Sequence, residues 1–221
     1  MTKLSKFFLC VGAALCLIAV LAACQAANSV ATPSQSAPDT LEADFGPTPV
    51  FAISGVTLPE NYRTDYIHYA TVERPDGIVR DIYINPESAA NMRAGYAIPQ
   101  DTTIVIEAFF AQRSSDGDII TDDAGHYVRD TPLEMIHVAQ KRGDWAESDF
   151  VSNARNGDWN YGTFDYASSE HFEESVITCF TCHSPTQNTD FVYTYPDLTG
   201  YLRSNQLQQV FCDQTGRTPC D

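Results

Sequence analysis

The chain has 221 residues, with 13 basic against 29 acidic side chains and a formal charge of −16. So acidic a chain lacks the cationic surface that recruits a phosphate backbone or an anionic lipid headgroup. This excludes nucleic acid as a partner and charge as the means of membrane attachment.

The first stretch is a secretion signal. Met1 to Lys6 is short and basic, and residues 7–21 form a nearly continuous apolar run, short for a membrane span and followed by a polar tail. Leu21-Ala22-Ala23-Cys24 resembles the box cut by lipoprotein signal peptidase. Residues 1–23 therefore read as a lipoprotein signal peptide and Cys24 as the acylated first residue of the mature chain. An ordinary signal peptide cut nearby is the competing reading. Loss of Lys3 and Lys6 leaves 11 basic against 29 acidic residues, formally −18, so attachment to the membrane rests on lipid alone. That places the protein on the periplasmic side of a bacterial membrane, the outer membrane in preference to the inner. Residues 24–45 are small, polar and proline-containing and read as a flexible tether. Residues 46–221 have the size of one domain with its own core, without an internal repeat.

Within the domain, residues 58–63 predict a short helical turn or loop, and the aromatic and β-branched residues 66–72 a strand. Pro75-Asp76-Gly77 signals a turn, and residues 78–84 alternate as the returning strand. A helix follows, with Asn85 as its cap, Pro86 in its first position and Gly95 at its exit. Residues 102–110 are the strongest strand. Period two puts Val105, Glu107 and Phe109 on one face and Ile104, Ile106 and Ala108 on the other. Glu107, a carboxylate between apolar neighbours, is either a solvated residue on a half-wet sheet or a buried acid/base beside a cofactor. Residues 114–118 form a turn, and 119–131 an acidic loop that lacks the twelve-residue pattern and closing Glu of a calcium site. Residues 133–139 and 158–164 predict two more strands, with Trp145 and Phe150 on an ordered loop between them.

Cys179-Phe180-Thr181-Cys182-His183 has the C-x-x-C-H form of a c-type haem attachment site. On one helical turn both sulfurs share a face and reach the vinyl groups of one porphyrin, while His183 turns its imidazole to the iron as axial ligand. Ser184 and Pro185 then stop the helix. A structural disulfide, a thioredoxin-like pair or half a zinc site compete. A second ligand pair for zinc and the α/β context of a redox pair are both missing from the sequence. Beyond the motif, residues 195–211 read as a helix with Leu198, Leu202, Leu207 and Val210 buried. Cys212 and Cys220 read as a disulfide closing the tail, or as two free thiols. The fold class is α+β: an antiparallel sheet with a few helices and a haem-attachment helix near the C-terminus.

Electron-transfer cytochromes c usually place a methionine after the motif as sixth ligand, and no methionine follows His183. Met92, Met135, His68, His126, His137 and His171 are the remaining candidates after the leader, each better explained as structural or surface. An open distal site is the expectation, one that permits small-molecule binding or catalysis.

Several blocks together resemble the cytochrome P-460 family, which includes the cytochromes c′-beta. They are Ile82-Tyr83-Ile84-Asn85-Pro86, Thr103-Ile104-Val105-Ile106-Glu107, Lys141-Arg142-Gly143-Asp144-Trp145, Asn156-Gly157-Asp158-Trp159-Asn160-Tyr161, the haem motif and Asp190-Phe191-Val192-Tyr193-Thr194. The resemblance covers about residues 58–205. It implies a sheet-rich fold, usually a homodimer, with one covalent haem c in a pocket bounded by the sheet. It also implies a small diatomic or nitrogenous ligand, a redox partner protein, and either nitric oxide binding or hydroxylamine oxidation. The catalytic branch joins a lysine to the porphyrin and carries a distal carboxylate. Here Lys141 is the only lysine after the leader and Ile106 stands where many relatives have lysine, so Glu107 is the one residue left to carry a distal role.

Overall fold

The computed structural model describes residues 54–150, 154–172 and 176–212, all within the unit running from Gly46 to Asp221. The leader, Cys24, the tether and Cys220 lie outside the described residues. A four-residue helix, α1 (Tyr62–Asp65), leads into strands β1 (Ile67–Glu73) and β2 (Ile78–Ile84). They are joined by a turn in which the Gly77 N–H donates to the Arg74 carbonyl at 2.9 Å. Gly77 takes φ +86°, a conformation glycine adopts without steric cost. Helix α2 (Pro86–Asn91), β3 (Thr102–Ala111), β4 (Arg129–Pro132), β5 (Met135–Lys141) and β6 (Trp159–Asp165) follow. Helices α3 (Ile177–His183) and α4 (Tyr195–Ser204) and strand β7 (Gln208–Phe211) complete the elements of the described residues.

The strands form one seven-stranded sheet in the order β6-β5-β3-β2-β1-β7, with β4 paired to the far end of β3. Every pairing is antiparallel except β1 with β7, which is parallel. The α+β class is as the sequence predicts, and the sheet is mixed rather than purely antiparallel.

Side chains alternate between the faces, so each strand contributes to two packing layers. Ala70, Val72, Ile82, Ile104, Trp159 and Tyr161 gather on one face under α2, α3 and α4, joined there by Met92, Phe180, Val192 and Leu198. Val105, Ile136, Val138 and Phe164 gather on the other face under Val56 and Tyr62. Gly162 sits in this second layer, where a Cβ would lie 3.1 Å from both Cβ and Cγ1 of Val56.

Four local expectations change. Asn85 makes no cap bond; its Oδ1 accepts the Thr103 N–H at 2.8 Å and its Nδ2 donates to the Asp101 carbonyl, so it ties the helix entry to β3 instead. The acidic loop is not wholly irregular, since its last residues enter β4. Pro185 does not end the helical path, which tightens into a 3-10 stretch at Ser184–Thr189 with proline in its first turn, where its missing N–H costs nothing. The final helix stops at Ser204, because Asn205 turns left-handed (φ +52°) and sends residues 208–211 alongside β1. Leu198 is buried as expected, whereas Leu202 and Leu207 are each 37% exposed.

Gly162→Val is expected to destabilise the domain by about 1–3 kcal/mol, through overpacking against Val56 and Phe164. A lower urea midpoint with an unchanged slope is the measurement that checks it.

Candidate functional site

Helix α3 carries the site and is fixed by what lies beneath it. Phe180 is buried and meets Tyr161 edge to face with ring centroids 4.9 Å apart; Phe150 approaches its other side at 6.3 Å. Asn156, 1% exposed, donates from Nδ2 to the Phe180 carbonyl at 3.0 Å and to the Tyr161 hydroxyl at 3.1 Å. These bonds give a second donor to a carbonyl that the Ser184 N–H already reaches, and dock the helix on β6. The Tyr193 hydroxyl donates to the Cys182 carbonyl at 2.5 Å, and the Thr186 hydroxyl to the His183 carbonyl at 2.8 Å.

With the helix so placed, Cys179 and Cys182 stand on one turn, and His183 closes the same turn. Nδ1 of His183 lies 2.6 Å from the Phe191 carbonyl, which can only accept. The proton is therefore on Nδ1, and Nε2 keeps its lone pair. Burial pushes this imidazole below its ordinary pKa, the Phe191 carbonyl opposes that shift and the Arg80 charge adds to it. The ring is neutral, as a metal ligand must be. Tyr161 and Tyr193 flank it at centroid distances of 5.0 and 5.2 Å.

These three residues line a cavity of about 480 Å³ between α3 and the sheet, within the usual range of a cofactor pocket. Its sheet wall is aliphatic, formed by Ile78, Ile82, Ile104, Ile106, Ala108 and Ala139. Arg74, Arg80 and His137 add charged or titratable groups to the lining. Burial is the main reason that His137 is held below its ordinary pKa, with Arg80 and His183 adding to it, so this imidazole is neutral as well. Trp159 also lines the cavity, and its buried indole N–H has no acceptor among the described residues. A large apolar volume, two adjacent thiols, a neutral imidazole with Nε2 bare and an orphaned donor together fit a covalently bound porphyrin.

The structure thus brings Cys179, Cys182 and His183 together, and does not bring Glu107 to them. Ile104, Ile106 and Ala108 face the cavity, so Glu107, between the last two, points through the opposite face. There it is 2% exposed, accepts the Tyr62 hydroxyl at 2.5 Å and pairs with Arg63. The expectation of Glu107 as an acid/base beside the cofactor is corrected by this geometry: it is a paired carboxylate in the second packing layer. Of the four other histidines, only His137 lines the cavity. His68 stacks on Tyr83 and approaches Asp81, His126 approaches Glu73, and His171 packs on Phe164. Neither Met92 nor Met135 lines it.

Arg80, Tyr161 and Tyr193 are site residues that the motif reading missed. Arg80 was legible in principle, since it lies between Ile78 and Ile82 on an alternating strand and so shares their face. Tyr193 had no local signal, because its contact with Cys182 spans a 3-10 turn.

The model of the Cytochrome P460 family matches residues 59–194, from just before α1 to the turn beyond His183. No curated protein matches the chain. Asn156→Ala is expected to remove two buried hydrogen bonds, to the Tyr161 hydroxyl and to the Phe180 carbonyl that the Ser184 N–H also reaches, and to cost about 1–3 kcal/mol. A fall in melting temperature with a lower yield of covalent cofactor in the purified protein is the outcome that checks it.

Proposed function

The chain belongs to the cytochrome P460 family, whose cofactor is covalently attached haem c, and from that premise we propose that it is a mono-haem protein open on one axial side to small ligands such as nitric oxide. In this reading Cys179 and Cys182 would hold the porphyrin and His183 would supply the protein's ligand to its iron. The haem supplies a redox-active iron with a coordination position for a small molecule. The chain's own residues set the conditions around it. Phe191 holds the proton on Nδ1 of His183, the isoleucines exclude water, and Arg80 and His137 provide the polar border.

The observation that carries the proposal is the composition of the sheet wall: Ile82, Ile104, Ile106 and Ala108 offer no ligand to iron and both methionines sit elsewhere, which leaves His137 as the one imidazole besides His183 in the lining. Hydroxylamine oxidation is the alternative in this family, and the lysine it relies on has no counterpart among the described residues that line the cavity. Lys141 does not line it and is bound to Asp190 instead. Acylation at Cys24, a periplasmic location, homodimerisation and a cationic redox partner belong to the same proposal, supported by the leader and the acidic charge. So does a Cys212–Cys220 disulfide, since Cys212 is buried and is not a free thiol.

The test is the optical spectrum of the purified ferrous protein before and after nitric oxide or carbon monoxide. A c-type spectrum that changes on gas binding is expected, with iron ligation altered in His183→Ala. A six-coordinate spectrum unmoved by either gas would overturn the open site. Hydroxylamine turnover above that of free haem, with an electron acceptor supplied, would replace ligand binding by catalysis.

A further inference from the structure

Lys141 has no place in the function just proposed, yet it is among the most deeply buried charges of the domain. It ends β5, is 6% exposed, and lies against the Trp159 ring with Nζ 5.9 Å from the centroid. Its ammonium donates to Asp190 Oδ2 at 2.6 Å and to the Ile98 carbonyl at 2.8 Å. The same Asp190 oxygen accepts the Ile98 N–H at 2.8 Å. One carboxylate thus ties the turn after α3 to two segments far away in sequence.

That turn is strained where it matters. Asp190 (φ +53°) and Phe191 (φ +62°) are consecutive non-glycine residues in the left-handed region. Aspartate tolerates this conformation, but phenylalanine rarely adopts it, and such strain persists only where the surroundings over-determine it. The surroundings here are the Asp190 carboxylate bonds, the Phe191 N–H donating to the Thr186 carbonyl at 2.9 Å, and the Phe191 ring packed on Gly157. Gly157 leaves the room, since a Cβ there would stand 3.3 Å from the ring. The backbone angles at 190 and 191 aim the Phe191 carbonyl, and that carbonyl accepts the Nδ1 proton of His183 at 2.6 Å.

We propose that the Lys141–Asp190 pair is a clamp that holds the strained turn and so aims the carbonyl acceptor of His183, making Lys141 and Asp190 positioning residues for the axial ligand. The proposal rests on the reading of His183 as haem ligand. The hydrogen bond to a ligating histidine fixes its ring orientation and raises its basicity, and through these it tunes the iron. The lysine therefore acts on the metal without touching the porphyrin.

The full-length holoprotein is compared with Lys141→Met, Asp190→Asn and the double variant Lys141→Met/Asp190→Asn. The double variant leaves no charge stranded in the interior, and so remains informative where a single variant folds poorly. Covalent haem is quantified from the alkaline pyridine spectrum, and the iron–histidine stretching band of the ferrous protein is read by resonance Raman. The expected result is haem attachment in all four proteins and a band shifted to lower frequency in every variant. Wild-type protein without covalent haem would overturn the reading of the site itself. Haem present as in the wild type, with an unmoved band in the double variant, would overturn the clamp alone. Midpoint potentials moving in opposite directions in the two single variants, again with an unmoved band, would assign the pair to a field effect and overturn the clamp as well.

Discussion

Each residue of a β-strand reaches only one face of its sheet, and strand β3 shows how much of this protein follows from that constraint. Ile104, Ile106 and Ala108 are given to the cavity, so Val105 and Glu107 must go to the layer beneath. The alternation divides the domain into an apolar chamber on one side and, on the other, a second apolar layer bordered by paired carboxylates. Helix α3 can dock only against the chamber side, because Tyr161 presents its ring there while its neighbours Asn160 and Gly162 serve the far side.

The far side solves a problem of its own. Asp81 and Glu107 lie directly opposite each other on β2 and β3, both buried, and two bare carboxylates in that register would repel. Each has its own donors. Glu107 takes Tyr62 and Arg63, while Asp81 takes Thr71, Arg129 and His68. Burial alone would raise the Asp81 pKa, but His68 and Arg129 outweigh it and hold the carboxyl below its ordinary value. Buried charge with full pairing fixes the position of α1 and β4 more than it adds net stability.

Much of this was legible because it is local. The strand β2 and its turn follow from alternation and from Asp76-Gly77, and the spacing of Cys179, Cys182 and His183 alone defines a helical turn with one chemical face. What escaped the sequence depends on partners distant in the chain. Residues 208–211 keep a helical spacing with α4, but the left-handed Asn205 and the free edge of β1 make them a strand. Asn85 looks like a cap until β3 offers its backbone at Thr103. Glu107 was assigned to the correct pair of neighbours, and only the packing of α3 decides which face holds the cavity. Lys141 in an otherwise polar block reads as a surface charge, and its burial is apparent only once Asp190 is brought beside it.

The short parallel strand β7 has a consequence for how this sheet behaves among its own copies. An exposed strand edge invites pairing by another chain, and β1, seven residues of largely buried sequence, would be a long template. β7 covers that edge along Ala70–Glu73 and leaves in its place an edge of four residues. Among the described residues, Gln208, Gln209 and the outward Phe211 form a ladder too short to seed further addition, so β7 acts as a stop to lateral growth of the sheet.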